Sequence, residues 1–258
     1  MCCFSQKVTS VTQTKIFARL LSKKDQSLVY EMSLDTPEDV AMILPLPVIV
    51  GSDENAVKFI DLSGYPDFFK DLQKGFPREP TRSKPKLALV EKAEPDTLKV
   101  QQIGSFEASF VPSVSDFSRL DDRFKLPDGT WDKIPAYADY GFAVFKLKKG
   151  NKKLHPMAFQ FPSRLSAEAQ IFFPTVHIHD GEIHKKETFD HVLYAQTWLK
   201  AALRSKDDWT ESPQLASQFA DVNKSQKLIW GGGHVYRQKI KGLQKNIDII
   251  AQPIATGG

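Results

Sequence analysis

From Lys15 to Leu34 the chain alternates apolar and polar positions at the two-residue period of a β-strand. The segments KIFARLL and SLVYEMSL both carry the pattern, and Lys23 to Gln26 is a polar connection, so the pair reads as a hairpin. Val40 to Val50 is apolar at nearly every position, which suits a buried strand. Pro45 and Pro47 withdraw two ladder donors, and this places the strand at a sheet edge or at its own end. Helical spacing follows. Ser52 as N-cap with Ala56, Phe59 and Ile60 predicts one short helix. Pro66 opens a second, with Phe68, Phe69 and Leu72 turned inward and Gly75 as its stop.

Strand patterning returns at Leu98 to Val111, and Ser115 caps a short helix through SDFSRLDDRF. Gly141 to Leu147 and Leu154 to Phe161 read as a second hairpin, and Ile171 to His179 as a further strand. Val192, Leu193, Ala195, Trp198, Leu199, Ala202 and Leu203 are spaced three and four apart, so His191 to Arg204 is expected as an amphipathic helix with Asp190 as its N-cap. Ser212-Pro213 starts another, and the chain closes in strands around the Gly231-Gly232-Gly233 run and NIDIIAQPI. The resulting expectation is an α+β fold: mainly antiparallel sheet, sandwich-like or a partly open barrel, with three or four helices.

Composition changes this picture at one place. Pro77 to Asp96 opens with PREPTRSKPK, rich in proline and basic residues, and has little to bury. It is expected to be a mobile loop within a single globular domain spanning 1–258, the alternative being a split into 1–76 and 97–258. The net charge of +4 comes from lysines spread along the chain. No nucleic-acid partner is therefore expected, because a basic footprint requires clustering on one surface. No apolar run has the length of a membrane span and no secretory signal is visible, so a cytoplasmic location is expected.

The opening carries a resemblance. A cysteine near the N-terminus, then IFAR, VYEM, an acidic break and AMILPLPV, resembles a family of uncharacterised bacterial proteins. Those proteins share the cysteine, a β-rich opening and an apolar segment ending in Leu-Pro-x-Pro. The resemblance spans the first third of the chain. It implies no activity, so no residue takes a role from it. Members carry export signals, and none is expected from this sequence, so their localisation is not transferred.

Candidate chemistry lies in IFFPTVHIHDGEIHKKETFDHVLYAQ, which holds four of the six histidines. Asp180-Gly181 is a strong signal for a two-residue hairpin turn. With that turn His177 opposes His184 and His179 opposes Glu182, and all four side chains share one face. Three imidazoles, His177, His179 and His184, are the candidate ligands of a divalent transition metal, with zinc first. A fourth, open position would hold an acidified water for attack on a carbonyl or phosphoryl centre. Glu182 would serve as its base or join the ligands, and Asp190 would orient a ring nitrogen. Against this stands a plainer account, in which an exposed hairpin tip collects idle polar residues.

Cys2 and Cys3 are adjacent and cannot staple a fold. If Met1 is removed, Cys2 carries a thiol and a free α-amine, the arrangement of an N-terminal nucleophile hydrolase. The third function class is a non-catalytic binding or assembly protein. It would use the proline-edged strand, which would also serve oligomerisation, or the basic loop, a contact point for an acidic partner; an unknown small molecule or peptide is the expected ligand.

Overall fold

The hairpin expected near the start of the chain lies inside the larger of two main sheets. β2 (Ser10–Leu20) and β3 (Asp25–Thr36) pair antiparallel from Ser10↔Asp35 to Leu20↔Gln26, with a register shift between Thr12 and Lys15. This computed structural model describes residues 2–76, 101–103, 106–120, 129, 135–178, 184–197, 201–202, 209–252 and 254–255. β3 also pairs with β9 (Gly150–Lys153) and β10 (Met157–Pro162), and β10 carries β5 (Lys58–Asp61) on its far side. On the other flank β13 (Lys186–Gln196) runs parallel to β2 and pairs antiparallel with β16 (Tyr236–Lys245), beside which lies β15 (Thr210–Glu211).

The second sheet is ordered around β4 (Val40–Leu46) and β8 (Gly141–Leu147), which pair along their whole length. β7 (Phe106–Val111) and β6 (Gln101–Ile103) extend it past β8. On the other side β1 (Cys2–Phe4) lies between β4 and the two-residue β12 (His177–Ile178), which runs parallel to it.

The sheets face each other across one core. Ile16, Leu28 and Tyr30 from the first meet Met42, Leu44 and Phe145 from the second. The opposite faces are also covered. Cys3, Ile43, Phe142 and Val144 pack outward against Phe117, Tyr137 and Val176. Phe17, Val29 and Tyr194 pack outward under Phe68, Phe69 and Leu72 of α1 (Phe68–Lys74), with Phe219 and Leu228. Coverage on both faces explains why β4 is apolar throughout, since neither side of its pleat meets water. Each fully buried Phe or Leu contributes about 1.5–3 kcal/mol relative to exposure.

Gly141 shows how closely this core is packed. A Cβ there would lie 2.6 Å from the buried ring of Phe110. Gly141→Ala is expected to lower stability by about 1–2 kcal/mol through overpacking, read as a fall in the urea midpoint.

The fold-class expectation needs correction. The chain is mostly β, with no closed barrel, and α1 is the only α-helix among the described residues. The helix expected at 191–204 is instead strand through Gln196, because Val192, Leu193, Tyr194 and Ala195 face packed layers on both sides of the sheet. Apolar residues on both faces at the end of a strand imitate helical spacing. The segment after Ser212-Pro213 makes only a 3-10 turn at Ala216–Gln218, and the one after Ser113 a 3-10 turn at Val114–Arg119. Of the helix expected after Ser52, the second half is β5. β8 and β10 are not a hairpin either, since each enters a different sheet.

The proline-bearing strand is likewise not an edge. β4 lies between β1 and β8 in its sheet. Pro45 is tolerated because β1 meets β4 at Cys3↔Ile43 and Phe4↔Met42, and the proline lies beyond that pairing. The basic segment 77–96 lies outside the described residues. No described helix is long and apolar enough to cross a membrane.

Candidate functional site: the N-terminal strand and a buried histidine pair

Insertion of β1 into the smaller sheet brings Cys2 opposite His177 in the backbone register. Cys3 is a buried thiol, in no disulfide, in the outward cluster. His177 follows Pro174-Thr175-Val176, a stretch whose amides are met by side chains. Asp248 accepts from the N–H of Thr175 (2.8 Å), the N–H of Val176 (3.0 Å) and the hydroxyl of Tyr137 (2.6 Å). Burial, together with the Asp248 charge, pushes the Tyr137 phenol well above its ordinary range. Asn246 accepts from the His177 N–H at 2.7 Å and donates to the carbonyls of His177 (2.9 Å) and His184 (3.0 Å).

The His177 side chain is 6% exposed and its Nε2 lies 2.9 Å from Nε2 of His191, which is 1% exposed. At that distance one nitrogen donates and the other accepts, so the neutral pair holds opposite tautomers. Phe189 closes over His177, with ring centroids 4.6 Å apart. β13 supplies Phe189 and His191 from one face because they are two residues apart on a strand.

Asp190, between them in sequence, points the other way. It accepts a 2.5 Å hydrogen bond from the amide of Gln13, the residue that takes a positive φ of 56° at the irregularity in β2. Its Oδ1 is 3.6 Å from His191 Nδ1, an ion-pair distance and too long for a hydrogen bond. Burial lowers the His191 pKa, and the neighbouring Asp190 only partly opposes this. Burial would raise Asp190, but His191 and the amides of Gln13 and Thr14 together hold it below the usual carboxylate range.

The structure therefore redistributes the expected site. His177 is buried against His191, its ring turned from solvent, and its backbone partner is Cys2 rather than His184. His184 is exposed, with Nε2 4.0 Å from Glu187. His179 and Glu182 lie outside the described residues, as does the side chain of Cys2. Asp190 caps no helix. The metal-binding reading is corrected on the donor geometry: among the described residues no three of His, Cys, Asp or Glu converge as an ion requires. His155 stacks on Phe106 at 4.1 Å, and His234 Nδ1 bonds the Ser212 carbonyl at 2.7 Å.

Asn246, Asp248 and the His191 pairing escaped the sequence reading. The first two alternate in N-I-D, the period that puts both side chains on one face of an extended segment, and that was the available signal.

No protein-family model matches the chain. Among solved structures, the crystal structure of baculovirus P35 matches over 98% of this chain and 100% of that one, at 16% identity and a TM-score of 0.51. A mutated baculovirus P35 after caspase cleavage matches over 94% and 100%, at 15% identity and a TM-score of 0.49. The caspase-8/P35 complex matches over 94% and 96%, at 16% identity and 0.47. These solved structures are all of one viral protein, and none of them is described as a metal-binding protein. The first match spans both chains nearly end to end, and this chain has the fold of baculovirus P35.

Proposed function

We propose that the chain is a non-catalytic protein-binding protein and that its partner is a caspase. The observation that supports this most directly is the shared fold over 98% of this chain and the whole of baculovirus P35. P35 has been seen in complex with caspase-8 and, in mutated form, after caspase cleavage. The arrangement of polar groups fits binding better than turnover. His177 and His191 bond each other in the interior, and Asn246 and Asp248 are occupied with backbone and phenol partners. They lock elements together and present no nucleophile to solvent. Two heavily covered sheets make a stiff framework, and a preorganised surface loses less entropy on docking.

The experiment is a titration of active caspase-8 and related caspases with the purified chain, following peptidase activity on a fluorogenic substrate. Activity is expected to fall near equimolar addition, with chain and caspase co-eluting on gel filtration and intact mass reporting any cut in the chain. Undiminished activity in excess chain, with the two proteins eluting apart, would remove the caspase from the proposal.

A further inference from the structure

We infer that Trp230, with Arg19 and Lys227 beside it, is a docking site for a partner-protein segment that carries a carboxylate next to an apolar side chain. This does not rest on the caspase reading. Trp230 is 43% exposed, although its backbone is tightly held. Gln196, fully buried at the end of β13, accepts from the Trp230 N–H at 2.9 Å and donates to the Trp230 carbonyl at 3.0 Å. The indole lies against the glycine run that follows it. A Cβ at Gly233 would fall 2.5 Å from a ring carbon, and one at Gly232 would fall 3.1 Å from the indole Nε1. The run is fixed in turn, because the Ala216 and Ser217 amides donate to the carbonyls of Gly233 (2.9 Å) and Gly231 (3.1 Å). This brings Leu215, 39% exposed, to the same surface. A rigid aromatic ring with an apolar neighbour and an outward N–H is the side chain most often found at the centre of protein interfaces.

The charge beside the ring is uncompensated. Arg19 is next to Gln196 in the β2–β13 ladder, and its Nη1 donates to the carbonyls of Lys227 (2.9 Å) and Leu228 (3.1 Å). Its Nε is buried and has no partner, and no carboxylate among the described residues bonds the guanidinium. Burial disfavours the charged form and lowers the Arg19 pKa. Lys227 is exposed at a φ of 68°, serves the fold through its carbonyl and makes no ion pair among the described residues. The carboxylates of the surrounding segments are engaged elsewhere. Asp221 pairs with Lys224 at 3.3 Å, Glu211 lies 3.6 Å from His234 Nδ1, and Asp61 accepts from the Ser63 N–H at 2.8 Å.

A desolvated guanidinium without a counter-charge is costly, and an incoming carboxylate relieves that cost. With Nη1 spent on two carbonyls, the N–H groups left to Arg19 are donors only, so the complement must be an acceptor. An acidic residue beside a leucine or proline satisfies the cations and the ring together. Single-stranded nucleic acid fits less well, since it requires a row of cations tracking successive phosphates. Here two cations flank one ring.

The test uses the full chain and a fluorescein-labelled peptide with two glutamates flanking one leucine, followed by anisotropy. Saturable binding is expected, with a shift of the Trp230 indole N–H resonance, which W230F identifies by its loss. The same peptide with glutamine in place of glutamate should bind about tenfold more weakly. W230A should bind about thirtyfold more weakly. K227E should weaken the acidic peptide and spare the glutamine one, with a thermal midpoint equal to the wild type's. The glutamine peptide and K227E keep the test decisive should W230A lose stability. Absence of saturable binding, equal binding of the two peptides, or full binding by K227E overturns the site. So does tighter binding of a single-stranded oligonucleotide that W230A abolishes, which would assign the surface to nucleic acid.

Discussion

Asn246→Ala is expected to cost about 3 kcal/mol of stability and to loosen β12 selectively. The side chain makes three hydrogen bonds of 2.7, 2.9 and 3.0 Å while only 8% of the residue is exposed. Removing it leaves the N–H of His177 buried without its partner and strips one from each of two carbonyls. Each orphaned buried group costs about 1–3 kcal/mol, and three on one residue do not add fully. For a chain of this size the melting temperature should drop by roughly 6–12 °C.

The loss should be local in origin. Among the described residues β12 has two positions, and its ladder to β1 holds Cys2↔His177 and Cys3↔Ile178. Amide exchange at Cys3, His177 and Ile178 should therefore rise before that of β3 or β13. Asn246→Asp separates the donors from the acceptor, since it keeps the oxygen that takes the His177 N–H and removes the amide that donates twice. It should fall between wild type and alanine. An alanine variant within about 0.5 kcal/mol of wild type would show that water replaces the clamp.

This clamp illustrates what the sequence withheld. The β2–β3 hairpin was legible because both strands alternate and a short polar link joins them. β4 was legible as a buried strand from its unbroken apolar run. Its place in the sheet was not, because the proline rule concerns the ladder at one residue and β1 ends before Pro45. β8 and β10 were each visible as strands, yet nearness in sequence suggested a hairpin where the chain crosses between sheets. No local pattern records that crossing.

The histidine site failed for a related reason. The proposed register used contacts within a single turn, whereas His177 takes its neighbours from the N-terminal strand and from a strand read as a helix. Once Phe189, His191 and Leu193 are taken as one strand face, their burial follows. The pairing with His177 still depends on how β1 and β13 are brought together, which is a property of the whole topology.

The buried pair also makes stability depend on pH, and the sign follows from His191. Burial holds its pKa in the folded protein below the ordinary value, whereas in the unfolded chain it titrates near about 6.5. Between those two values the unfolded chain binds more protons, so stability rises with pH and falls as pH drops. The contribution is fully present above about pH 6.5 and is lost below it at up to about 1.4 kcal/mol per pH unit, until the folded-state pKa is reached. His155, half-buried against Phe106, is lowered by the same cause and adds a smaller, solvent-screened share of the same sign. Asp190 is also depressed, but its share is lost only as pH falls below the ordinary carboxylate pKa, so the two windows are separate.

The geometry explains why protons act there. One extra proton leaves the pair with two donors facing each other across 2.9 Å unless a ring turns or deprotonates at its far nitrogen, and a second sets two cations in contact. Urea midpoints should therefore fall between about pH 7.5 and about pH 5.5 in the wild type. His191→Gln, which keeps a polar group at the site without a titrating ring, should be less stable at the higher pH and show a shallower slope. Equal midpoints for the wild type at both pH values, or an undiminished slope in the variant, would place the titration somewhere other than this pair.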